Sequence, residues 1–182
     1  MGQALFLTGR PGVGKTTALL AVVAHLGARA GGFYTAEIRK AGRRTGFRLV
    51  TLDGPTGLLA DLNISSPYRV GRYGVHLSNL EDLGVAALWR AIRNPEVSVV
   101  VIDEIGKMEL FSAAFREAVL AGLDSPKAVI GTITLARLPW AEALKARPDV
   151  NLLEVTAANR SACPEQILAW LQQDRETGHG TG

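Results

Sequence analysis

Eight residues near the start leave this chain few folds to choose from: Gly9-Arg10-Pro11-Gly12-Val13-Gly14-Lys15-Thr16 fits the pattern GxxxxGK followed by Ser or Thr, once in the whole sequence. The apolar run at residues 4–8 reads as a strand before it, and Leu19, Leu20, Val22, Val23 and Leu26 follow at helical spacing. In that setting glycines let backbone N–H groups converge on phosphate oxygens, and the helix N-terminus adds the positive end of its dipole. The alternative is an incidental turn, and a chance match in such a chain is on the order of one per cent at ordinary glycine frequencies. Lys15 is expected to reach the β and γ phosphates, and Thr16 to offer its hydroxyl to Mg²⁺.

The second signal is Val99-Val100-Val101-Ile102-Asp103-Glu104, an apolar run ending in two carboxylates. Its β-branched residues suit a central strand covered on both faces, and open α/β sheets place ligands at the carboxyl ends of such strands. Asp103 is expected to hold Mg²⁺ through water, because a hard cation with few direct protein ligands still needs nearby negative charge. Glu104 is expected to orient and deprotonate an attacking water. Two solvated charges closing a strand are the plainer alternative, and it loses weight beside a phosphate loop.

The rest of the 182 residues organise around these two stretches. With 47% apolar residues the chain can bury one substantial core, and a single domain is expected over residues 1–175, with an unstructured tail over 176–182. Residues 33–39 and 46–52 read as strands, 53–75 as a Gly-, Pro-, Asn- and Ser-rich loop and lid candidate, and 78–93 as a helix. Ser78 and Glu81 look like the capping box of that helix. A helix at 111–123, a buried strand at 128–133, a helix at 140–145, a strand at 150–156 and a helix at 164–173 follow. Alternating strands and helices imply a layered α/β fold.

Composition narrows the setting. Twenty Lys and Arg against 17 Asp and Glu leave a formal charge of +3, too mild for a dedicated nucleic-acid binder. The single Cys163 excludes an intramolecular disulfide and any Cys/His metal cluster, and no apolar run is long enough to span a membrane. A cytoplasmic protein is expected, since the N-terminus lacks the basic region of an export signal.

These residues resemble the THEP-type nucleoside triphosphatases, the family that includes cancer-related nucleoside-triphosphatase. The resemblance is carried by Phe6-Leu7-Thr8-Gly9 with the loop, Gly32-Phe33-Tyr34-Thr35, Gly42-Arg43-Arg44 with Gly46-Phe47, Arg69-Val70-Gly71, Val101-Ile102-Asp103-Glu104-Ile105-Gly106-Lys107-Met108-Glu109-Leu110, Gly131-Thr132-Ile133 and Asn159-Arg160. It spans most of the chain and implies hydrolysis of ATP, GTP and related triphosphates with loose base selectivity. It also implies a three-layer P-loop NTPase fold of RecA-like, additional-strand type, with a mostly parallel central sheet and helices on both faces. The implied nucleotide contacts are Thr8, Gly9, Arg10, Pro11, Gly12, Val13, Gly14, Lys15, Thr16 and Thr17 with Val101, Ile102, Asp103, Glu104, Ile105, Gly106 and Lys107. One departure is Ala36, where a second acid is expected beside Glu37; Glu37 alone stays a candidate neighbour of the metal, against an exposed strand carboxylate.

Phosphoryl transfer also needs positive charge on the transferring group. Lys107 is the first choice, three residues past Glu104, with Arg43, Arg44, Arg69 and Arg160 in reserve. The expected catalytic residues are therefore Glu104, Lys15 and Lys107, and the metal ligands Thr16 and Asp103. Thr132, at the end of another buried strand, is weighed evenly as a γ-phosphate sensor or a hydroxyl that satisfies backbone groups. His25, His76 and His179 lack ligand-like spacing. A small-molecule or nucleotide kinase is the rival enzyme, and a nucleotide-gated binding module with RNA as partner the rival non-enzyme. Absence of an NKxD motif argues against a signalling GTPase, and size excludes a two-lobed helicase. Nothing in the sequence selects an oligomeric state.

Overall fold

The computed structural model describes residues 2–178, with side chains described through residue 173. Its centre is β1 (Ala4–Thr8), which pairs in parallel with β8 (Ala128–Ile133) on one side and β9 (Val150–Glu154) on the other. Next to β8 runs β7 (Val99–Ile105), and next to β7 runs β2 (Ala30–Lys40), both parallel. One strand, β8, thus separates the strand before the glycine loop from the strand carrying the acidic pair, the additional-strand arrangement.

Beyond β2 the sheet turns antiparallel. Strands β2 and β3 (Arg43–Thr51) form a long hairpin, extended by β4 (Thr56–Asp61), β6 (Tyr73–Val75) and β5 (Arg69–Val70). The complete order is β5-β6-β4-β3-β2-β7-β8-β1-β9. The parallel core is the expected one, and the antiparallel wing enlarges it. Residues 53–75 are therefore the expected loop only in part: 56–61, 69–70 and 73–75 are strands, and 62–68 stay irregular. Thr51 donates to Pro55 O at 2.6 Å, Asn79 Nδ2 to Leu58 O at 2.9 Å, and Arg90 pairs with Asp53 at 2.6 Å. The ladders β3–β4, β4–β6 and β5–β6 make sheet of a Gly- and Pro-rich segment whose propensity alone favours turns, and these bonds tie its ends down.

Side-chain alternation splits the core between the two faces. Ala4, Phe6, Val100 and Ile102 pack under α3 (Ala86–Arg93), α4 (Ala113–Asp124) and α5 (Pro139–Lys145), whereas Leu5, Leu7, Val99, Val101 and Ile130 pack under α1 (Lys15–Leu26) and α6 (Cys163–Gly178). The helix expected from Ser78 begins one residue earlier as α2 (Leu77–Asn79) and passes through a π-helical stretch at Leu80–Val85 before α3. Its cap is His76, which accepts the Asn79 N–H at 3.2 Å. His76 is fixed there because its own N–H bonds Leu59 O at 2.7 Å. Glu81 does not close a capping box; it accepts the Ser112 hydroxyl at 2.7 Å, and Ser112 caps α4 through the Phe115 N–H at 3.0 Å. The last helix runs on to Gly178, so residues 176–178 of the expected unstructured tail are helical, and residues 179–182 lie outside the described residues.

Candidate active site

The glycine loop connects β1 to α1, and Gly14, the residue before the helix, has φ 114°, which an L side chain rarely adopts. Lys15 then bends back across the loop, its ammonium donating to Gly9 O at 2.8 Å and Arg10 O at 3.0 Å. That places the charge over the mouth of the loop while the N-terminus of α1 points into it. Thr8, at the end of β1, has the one buried side-chain oxygen without a partner among the described residues.

The next residue of α1 reaches across the sheet. Thr16 Oγ1 donates to Asp103 Oδ2 at 2.9 Å, joining positions 87 apart in sequence. Asp103 is 2% exposed, and its other oxygen takes the hydroxyl of Thr132, itself wholly buried at the end of β8. Burial pushes the Asp103 carboxyl up, and donations from Thr132, Thr16 and the Thr35 backbone N–H, with the Lys15 charge, pull it back. Thr132 is thus a holder of Asp103. A hydroxyl and an oriented carboxylate are hard oxygen donors, the type a small divalent cation takes. No cluster of three or more His, Cys, Asp or Glu capable of holding a metal exists among the described residues.

Glu104 turns away from the core and lines the cleft with Lys15, Lys107 and Asp103. Burial first, then the Asp103 charge, push its carboxyl up, while Lys15 opposes. Gly106 makes room for it, since a Cβ there would lie 2.6 Å from Glu104 Oε1. Glu109, 3% exposed, lines the same cleft. Burial and then the Glu104 charge drive its carboxyl well above the ordinary glutamate range, against the backbone N–H groups of Glu109 and Gly106.

The cleft has a volume of about 800 Å³ and is bounded by the loop, the end of β7 and the antiparallel wing. Of the expected residues, Gly9, Pro11, Gly12, Gly14, Lys15, Thr16, Thr17, Asp103, Glu104 and Lys107 line it. Val101, Ile102 and Ile105 do not: they are buried within β7 and serve as its packing faces. Among the reserve cations, Arg44 lines the cleft but is bonded to Glu37 at 3.0 Å, and Arg69 is spent on Arg72 O at 2.8 Å. Arg43 stands exposed at the start of β3, and Arg160 lies beside Gly14, its Cδ 3.6 Å from where a Cβ would be. Glu37 lines the same cleft, with its oxygens bonded to Arg39 at 2.7 Å and Arg44 at 3.0 Å; burial pushes its carboxyl up, and these two arginines outweigh it and hold the carboxyl down. Sequence reasoning missed Glu109 as a separate feature, although a Glu two residues past the cleft-lining Lys107 was the available signal.

Loop, acidic strand end and additional-strand sheet together define a P-loop nucleotide-binding enzyme. Comparison with known proteins agrees: the NTPase family matches residues 4–168, and the chain belongs to it as a nucleoside-triphosphatase. The chain is 47% identical over 178 residues to the nucleoside-triphosphatase THEP1 of Thermotoga petrophila, covering 98% of each. It is 40% identical over 190 residues to the cancer-related nucleoside-triphosphatase of Homo sapiens, covering 97% of this chain and 100% of that one. The crystal structure of THEP1 from the hyperthermophile Aquifex aeolicus superposes with a TM-score of 0.84 at 38% identity, over 93% of this chain and 99% of that one.

Proposed function

We propose that the chain is a magnesium-dependent nucleoside triphosphatase that converts ATP, GTP and other nucleoside triphosphates to diphosphate and phosphate. The observation that carries this reading is the 2.9 Å contact between Thr16 and Asp103, which brings the loop and the acidic strand end onto one site. Loop N–H groups and Lys15 bind the β and γ phosphates. Thr16 and Asp103 would hold Mg²⁺, which when bound draws charge from the phosphoryl oxygens. Glu104 takes the proton of the attacking water, and its raised proton affinity brings it closer to the range where a base is efficient. Lys107 faces the charge that builds on the transferring group. Recognition through main-chain N–H groups reads no base, which supports loose selectivity. The unpaired Cys163 supports a reducing cytoplasm, and no helix among the described residues is long and apolar enough to cross a membrane.

Phosphate release measured with ATP, GTP, CTP and UTP tests the reading. The wild type is expected to act on all four, and Glu104→Gln to keep nucleotide binding while turnover falls by roughly two or more orders of magnitude. Unchanged turnover in that variant removes Glu104 as the base.

A further inference from the structure

The cleft that holds the loop and the acidic pair also extends along the antiparallel wing, to a chamber whose residues the hydrolysis reading does not use. Sheet order fixes the direction: the loop follows β1, the acidic pair ends β7, and the wing lies beyond β2 on the far side. In-line displacement sets the attacking oxygen opposite the leaving diphosphate. With the γ-phosphate set between the loop and the acidic pair as proposed above, the wing, beyond β2 in the sheet, is the part of the cleft farthest from the loop strand and lies on the side of attack.

Its walls are Tyr34, Phe47, Leu59 and Tyr73, with Arg44 and Glu37 as polar groups. Arg44 is held in place, with Nε on Tyr73 Oη at 3.0 Å, Nη1 on Glu37 at 3.0 Å, and its guanidinium 5.1 Å from the Phe47 ring centre and 5.6 Å from that of Tyr73. Its side chain stays 41% exposed and that of Glu37 40%, and both line the cleft. Aromatic faces suit a planar ring, and a guanidinium held by only two of its five N–H groups has others left to donate to ring nitrogens or carbonyls. A cleft of about 800 Å³ has room for a small molecule beside the polyphosphate.

Resting on the nucleoside-triphosphatase reading of the same site, we propose that the wing chamber binds a heteroaromatic alcohol of nucleoside size as phosphoryl acceptor. Its hydroxyl oxygen takes the position of the attacking water and forms a bond to the γ-phosphorus. The bond from that phosphorus to the β–γ bridging oxygen breaks, its electron pair leaving on the nucleoside diphosphate. The hydroxyl proton passes to Glu104. The products are a nucleoside diphosphate and a phosphomonoester, with no change in oxidation state.

The experiment incubates the full chain with Mg²⁺ and γ-radiolabelled ATP, first alone and then with millimolar adenosine, guanosine, cytidine or uridine. At least one nucleoside is expected to yield a labelled monophosphate while labelled free phosphate falls. Phe47→Ala and Tyr34→Ala are each expected to cut that transfer about tenfold or more, through lost ring stacking, with acceptor-free phosphate release within about twofold of wild type as the control for folding. Acceptor-free release with no labelled nucleoside overturns the acceptor site and leaves the hydrolase standing. Transfer that is undiminished in both variants overturns the chamber as its location. Neither release nor transfer overturns the hydrolase reading and this inference with it.

Discussion

Glu109 carries the clearest consequence at the scale of single residues. No cation among the described residues forms an ion pair with it, and its carboxyl is held well above the ordinary glutamate range by burial and by Glu104. The folded chain therefore binds this proton more tightly than the unfolded chain. The stability it contributes is complete below the ordinary glutamate range and is lost as pH rises through the raised folded value. Glu109→Gln keeps the shape without the titration, so its urea midpoint should gain on that of the wild type as pH increases. A difference between the two that does not vary with pH contradicts the assignment. Gly106→Ala should press a methyl against Glu104 Oε1 and lower turnover with nucleotide binding retained, measured as a kcat loss at near-constant Kd. Lys15, Thr16, Asp103 and Glu104 were legible in the sequence because each sits in a contiguous motif with its own chemistry. Thr132 was legible as a candidate but its hold on Asp103 was not, nor was the role of Glu109, because what they do depends on which strand end or turn lies opposite.

Among the elements, local pattern and tertiary bonding part company in the wing. Strands β2 and β3 were legible as two runs on either side of Ala41-Gly42, though not their pairing as a hairpin, and β8 from its buried run with the bounds 128–133. Strands β4 to β6 were hidden by turn-forming residues that neighbouring backbone overrides. The helix start shows the same contest: Ser78 with Glu81 matched a capping box, yet His76 caps α2 and Glu81 serves Ser112. Two substitutions separate these assignments. Ser112→Ala, at a buried cap, should cost about 1–2 kcal/mol in chemical denaturation, whereas the exposed Ser78→Ala should stay within about 0.5 kcal/mol. Equal costs at the two serines contradict the observed caps.

For the molecule as a whole, two packed faces hold one sheet so that the ends of β1, β7 and β8 meet. Parallel strands and helices were readable from alternation, and the joining of loop to acidic strand end followed from that order. The extent of the wing, and hence the far wall of the cleft, was not readable, since it arises from pairing beyond β2. The joining itself is tested most directly by a crystal structure of the chain with Mg²⁺ and a non-cleavable ATP analogue. The γ-phosphate should lie in hydrogen-bond reach of Lys15 Nζ, with the metal between Thr16 Oγ1 and the Asp103 carboxylate. A polyphosphate bound away from the loop, or a metal held by other residues, contradicts the account.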